Sequence, residues 1–242
     1  MSGRGNERRR RIILRKNILT AIFLLLFITP GAKAQIEQPR SILEVGISGG
    51  MNLNRMDFQP TIRQKLNSGM NGGVSVRYTS EKYFSMICAA QLEVNFAQRG
   101  WKEDFDDGTG NYYSRMLNYV EIPLFAHLSW GKEERGLQFF FNGGPQFGFL
   151  IGENETYKGN WQTEERPSSI RPIYGKQPQN TFDYGIAGGL GIELKTKAGN
   201  FSVEGRYYYG LSDIFHNSKL DDFGRSANQT ISIKIGYSVR IL

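Results

Sequence analysis

The sequence predicts an all-β protein: an eight-stranded antiparallel up-and-down transmembrane β-barrel, preceded by a cleavable signal peptide. Three observations predict it. A basic, then apolar, N-terminal segment ends in a small-residue cleavage site. Eight later stretches alternate apolar and polar residues. The connections between those stretches are short and long in turn. A period of two sorts side chains onto the two faces of a strand. Short turns at one end and long loops at the other are the layout of an outer-membrane barrel.

The signal comes first. Arg4, Arg8, Arg9, Arg10, Arg11, Arg15 and Lys16 form a basic region, Ile18 to Ile28 an apolar one, and Ala32-Lys33-Ala34 an A-x-A site. Cleavage would separate residues 1–34 from a barrel domain at 35–242. The apolar run is eleven residues long, against about twenty for a membrane-spanning helix. The whole chain has a formal net charge of +7. Residues 1–34 hold eight of the 30 basic residues and one of the 23 acidic ones, so the remainder is neutral. Nothing in that balance points to nucleic acid. Cys88 is the single cysteine, which excludes an intramolecular disulfide.

The strand candidates follow in order. Ile42–Asn52 sets Leu43, Val45 and Ile47 against Glu44, Gly46 and Ser48. Met70–Thr79 sets Val74, Val76 and Tyr78 against Ser75 and Arg77. Phe84–Ala97 sets Leu92, Val94 and Phe96 against Gln91, Glu93 and Asn95. Met116–Trp130 sets Val120, Ile122, Leu124 and Leu128 against Tyr119, Glu121 and His127. Leu137–Ile151 sets Phe139, Phe141 and Phe149 against Gln138, Asn142 and Gln146. Thr181–Leu194 sets Tyr184, Ile186, Leu190 and Ile192 against Asp183, Gly189 and Glu193. Phe201–Leu211 sets Val203, Tyr207 and Tyr209 against Ser202, Glu204 and Arg206. Thr230–Leu242 sets Ile231, Ile233, Ile235, Tyr237 and Val239 against Ser232, Lys234 and Arg240. Ser80–Tyr83, Gly131–Gly136 and Lys195–Asn200 read as turns. Leu53–Gly69, Gln98–Arg115, Gly152–Asn180 and Ser212–Asn228 read as long loops, the third exposed and mobile.

A soluble lipocalin-like barrel in the periplasm, binding a ligand, would alternate in the same way with its faces reversed. Side-chain volume argues against it. The apolar face carries most of the rings, and the other face is mostly small or charged. A ring of eight strands leaves room only for packed side chains. The apolar face, including Leu124, Phe141, Ile233 and Ile235, is therefore expected to meet lipid.

LNYVEIPL (117–124) resembles the PorT-like outer-membrane β-barrel family of Bacteroidetes. FFFNGGPQFGFLI (139–151), DYGIAGGLGIEL (183–194), RYYYGLSDIF (206–215) and IKIGYSVRIL (233–242) are similar too. The resemblance covers roughly residues 41–242. It implies eight strands and an outer-membrane address in a Gram-negative cell. It also implies a link to protein secretion, since PorT itself is tied to the type IX system. It supplies no catalytic residues.

Candidate chemistry is sparse. His216, near Ser212, Asp213 and Ser218, could centre a loop enzyme. A triad is recognised by geometry, however, and no G-x-S-x-G elbow is present. Glu103, Asp104, Asp106 and Asp107 before Gly108 make an acidic loop without EF-hand spacing. No cofactor and no tightly bound metal are expected. The charged residues of the small face are expected to fill the lumen: Glu44, Arg77, Glu93, Glu121, Asp183, Glu193, Glu204, Arg206, Lys234 and Arg240. Antiparallel closure of the first strand on the last should put Glu44 between Arg77 and Arg240. The expected partners are outer-membrane lipid and other envelope or secretion proteins.

Overall fold

The computed structural model describes residues 41–105, 110–217 and 222–241. The expected signal at 1–34 lies outside the described residues. The strands are β1 (Ile42–Gln59), β2 (Gln64–Lys65), β3 (Asn67–Tyr83), β4 (Met86–Glu103), β5 (Tyr112–Gly131), β6 (Gly136–Lys158), β7 (Phe182–Thr196), β8 (Gly199–Gly210) and β9 (Arg225–Arg240). Eight of them form the ring, and β2 is a two-residue addition to the end of β4. The eight are joined antiparallel in chain order, and β1 also pairs with β9. Closure pairs the edges that an open sheet would expose to lipid.

Burial divides the two faces cleanly. Ile235 is 66% exposed and Leu190 69%, while Glu193 on the opposite face is 1% exposed. Leu124, Phe141 and Ile233 also face outward. This overturns the lipocalin-like alternative, because such a wall is stable only against hydrocarbon. On β1 the outward apolar residues run from Leu43 to Leu53. That is roughly 33 Å of strand, or about 25 Å of height at the usual tilt, which matches a hydrocarbon-facing band.

Most strands run past that band, and there the pattern inverts. On β4 the outward series is Leu92, Val94 and Phe96, then Gln98, Gly100 and Lys102. The inward series is Gln91, Glu93 and Asn95, then Trp101. On β1 Met56 and Phe58 turn inward, each 3% exposed, while Arg55 and Gln59 face out. Beyond the lipid the outer wall meets water, so apolar side chains must turn in.

This corrects the loop boundaries expected from sequence. Residues 53–59, 98–103, 112–115, 152–158 and 225–228 are strand. Ser80–Tyr83 is also strand: a register shift between Thr79 and Glu81 lets β3 continue, and Phe84 makes the turn at φ 53°. The loop expected at 152–180 is neither all loop nor all exposed. Its first part extends β6, and Ile170 (7%) and Ile173 (0%) are buried.

Candidate functional site

The candidate site is the barrel interior together with the cap that the extended strands build above it. Three tiers of charge fill the interior. In the tier at the short-turn end, Arg77 Nη1 donates to Glu44 Oε2 at 3.3 Å and to Glu193 Oε2 at 2.8 Å. The register sets Glu44 opposite Arg77 on one side and Arg240 on the other. Arg240 is exposed at the mouth. Lys195 Nζ also lies 3.9 Å from Glu44, and Asn200 Nδ2 donates to Glu44 at 2.7 Å. The sequence places Lys195 in the turn Lys195–Asn200. It lies inside because β7 continues to Thr196. His127, 2% exposed, shares a 2.8 Å hydrogen bond with Asn142.

The middle tier centres on Arg206. Its guanidinium donates to both oxygens of Glu93, at 3.0 and 2.8 Å, and to both oxygens of Glu204, at 2.9 Å each. Lys234 Nζ reaches Glu93 at 2.9 Å. Gln91 and Asn95 donate to the same carboxylate. Such bidentate pairs fix direction as well as distance.

In the third tier Arg99 joins two strands. It lies 2.5 Å from Glu121 and 2.7 Å from Asp183. Gln146 and Asn228 donate to those carboxylates in turn. On sequence alone Arg99 falls in the long loop Gln98–Arg115; it lies inside because β4 continues to Glu103. The interior also holds more rings than expected. Arg99 stacks 3.9 Å from the Tyr208 ring centre, and Arg206 lies 4.5 Å from that of Phe125. A planar guanidinium can satisfy carboxylates at its edge and rings on its face, which lets aromatic residues share a charged lumen.

Above the tiers the inverted strands and the connections between them form an apolar core. Met56, Phe58, Trp101, Tyr113 and Leu117 from the strands meet Ile170, Ile173, Ile214, Phe215 and Phe223 from the connections. Trp101 and Phe58 meet edge to face, with ring centres 5.1 Å apart. Polar ties surround this core. Arg115 binds Glu153 at 2.7 Å and Glu155 at 3.2 Å. Those glutamates turn inward because the β5–β6 register shifts between Asn118 and Tyr119. Glu103 accepts from the Tyr174 hydroxyl at 2.6 Å and pairs with Arg166. Burial, then the hydrogen bond to Glu155, pushes the Tyr157 phenol up to about 12. Burial also raises Tyr113 and Tyr174. All three therefore stay protonated, and able to donate to the carboxylates, at neutral pH.

The remaining sequence candidates do not converge. The backbone N–H of His216 donates to Gln179. Ser212 donates to Asp183, and Asp213 accepts from the Ser226 backbone and from Asn217. Among the described residues no Ser–His–Asp array forms; Ser218 lies outside them. Glu103 points into the cap, and Asp104 pairs with Arg63 and Lys65. Asp106, Asp107 and Gly108 lie outside the described residues. Among the described residues no group of three metal-ligating side chains gathers.

No curated protein sequence matches the chain. Among solved structures, the attachment invasion locus protein Ail of Yersinia pestis is 16% identical, with 81% of this chain and 98% of that chain covered and a TM-score of 0.34. OprG of Pseudomonas aeruginosa is 12% identical, covering 83% and 97%, with a TM-score of 0.44. Neisserial surface protein A is 8% identical, covering 84% and 99%, with a TM-score of 0.36. The sequence model described as outer membrane protein beta-barrel domain matches residues 33–216. With three quarters of its length matched, a closed ring of eight strands, an apolar outer wall and a charged interior, this chain belongs to the outer membrane protein β-barrel domain family and is an integral protein of a Gram-negative outer membrane.

Proposed function

We propose that the protein is a non-enzymatic, sealed anchor that holds a rigid cap at the cell surface, and that the cap acts by binding other envelope components. One observation carries this reading: the apolar core of Trp101, Phe58, Ile173 and Phe215 lies above the ion-paired lumen at the long-connection end. Long connections face the cell exterior in this class of barrel. A packed core over packed charges supports anchoring rather than transport. The lumen residues Glu44, Arg77, Glu93, Glu121, Asp183, Glu193, Glu204, Arg206 and Lys234 then brace the wall. Residues 1–34 serve as the cleaved export signal in this reading. The likeness of LNYVEIPL and the closing strand to PorT-like barrels favours a secretion apparatus as one kind of partner.

The test places a photo-crosslinking residue at exposed cap positions, Glu164 and Arg171, in living cells. The expected result is a discrete adduct with another envelope component at one or both positions, and none at the lipid-facing position Leu190. Adducts confined to Leu190, or none anywhere, would sink the binding role. In planar bilayers the purified protein should add no stepwise conductance, and regular openings would sink the sealed reading.

A further inference from the structure

Immediately above the lipid band, the outer wall carries a groove across β4, β5 and β6 with a volume of about 530 Å³. Its upper part is Lys102, Tyr112, Ser114 and Thr156; its lower part is Gln98 and Asn118. No carboxylate lines it among the described residues. The registers Lys102↔Ser114, Ser114↔Thr156 and Tyr112↔Lys158 put these side chains on one outward face.

Lys102 in the groove lining and Lys158 beside it bring two positive charges to one tyrosine ring. Lys102 Nζ lies 4.5 Å from the Tyr112 ring centre, and Lys158 Nζ 5.7 Å from it on the neighbouring strand. Neither ammonium forms an ion pair with a carboxylate among the described residues. Lys65 sits directly opposite Lys102 across β2 and β4, and Asp104 is 2.7 Å from Lys65. Like charges set opposite each other repel. Asp104 offsets that cost at Lys65, which leaves Lys102 and Lys158 as the two ammonium groups without a carboxylate among the described residues.

Height selects the kind of anion. Lys102 lies six residues beyond Phe96, the last outward apolar residue of β4. That is roughly 20 Å of strand, or roughly 14 Å above the hydrocarbon boundary. A phospholipid headgroup layer is about 6 Å deep on each side, so it ends below the lysines. A lipid whose headgroup is a chain of sugars reaches them. The hydroxyl and amide groups of Gln98, Ser114, Asn118 and Thr156 line its path, with Met116 between the lower pair Gln98 and Asn118 and the upper pair Lys102 and Ser114.

We propose that this groove binds the phosphorylated sugar headgroup of an outer-leaflet glycolipid, with Lys102 and Lys158 holding the phosphate and the polar groups below them contacting the sugars. The site uses the same orientation in the membrane as the proposed function, but it does not require the cap to have a partner.

The test titrates the purified full-length protein with phosphorylated lipopolysaccharide, the same glycolipid after enzymatic dephosphorylation, phosphatidylglycerol, and inorganic phosphate. Bound lipid is counted by native mass spectrometry. Phosphorylated glycolipid should bind, and Lys102→Gln with Lys158→Gln should weaken it about tenfold or more. Lys176→Gln, on the cap, should change nothing. Thr156→Lys adds a cation to the groove and should tighten binding. Heat-modifiable gel migration checks that each variant is folded. Affinity of the double variant within about twofold of wild type would overturn the proposal. Equal binding of the dephosphorylated glycolipid or of phosphatidylglycerol would overturn it too, as would inorganic phosphate competing as an equal.

Discussion

Arg206→Met should destabilise the barrel by roughly 3–5 kcal/mol, the usual cost of removing one partner from a buried ion pair. Arg206 is 5% exposed and donates four hydrogen bonds to Glu93 and Glu204. Without it Lys234 alone faces two carboxylates, with only Glu93 in reach. Methionine keeps most of the volume and the contact with Phe125, so the lost charge dominates. The measurement is the urea midpoint of the heat-modifiable band in detergent. Adding Glu204→Gln should recover part of the loss, because it removes the stranded charge. A midpoint equivalent to a loss below about 1 kcal/mol would mean that water reaches this tier and screens it.

Trp101→Ala should cost the cap about 3–5 kcal/mol, the range for deleting a large buried ring. Trp101 is 0% exposed and touches Phe58, Tyr113 and Arg115. Its partners Ile170 and Ile173 sit on the connection between β6 and β7. The loss should therefore fall on that connection and not on the lipid-embedded ring. Protease added to proteoliposomes should cut the variant between 159 and 181 while the barrel keeps its heat-modifiable migration. Cleavage of wild type at the same rate would mean that the core does not hold the connection down. Loss of the folded band as well would make cap and barrel one cooperative unit.

The lipid-embedded half of the fold was legible because one solvent acts on each face. Hydrocarbon outside and packed charge inside give strict alternation from Leu43 to Ile47 and from Leu92 to Phe96. The closing register was legible for the same reason: Glu44 had to share a face with Arg77 and Arg240. The upper half was hidden by the change of outer solvent. In QRGWKE the alternation continues, with Arg99, Trp101 and Glu103 inward, but neither face is uniformly apolar. A search for apolar residues facing out stops at Phe96 and reads the remainder as loop. The usable signal was the reversal itself, rings on the face that had carried charges. Contacts such as Arg99 to Asp183, 84 positions apart in sequence, depend on ring closure and the tilt between strands.

The inversion at the top of the lipid band is the central claim, and spin labels along one strand test it directly. With Cys88 replaced by Ala, single cysteines at Val94, Phe96, Gln98 and Lys102 would carry the label in bilayers. Collisions with oxygen report lipid, and collisions with a water-soluble nickel complex report solvent. Oxygen should dominate at Val94 and Phe96, nickel should dominate at Lys102, and the crossover should fall near Gln98. Oxygen dominating through Lys102, or nickel already dominating at Val94, would contradict the account.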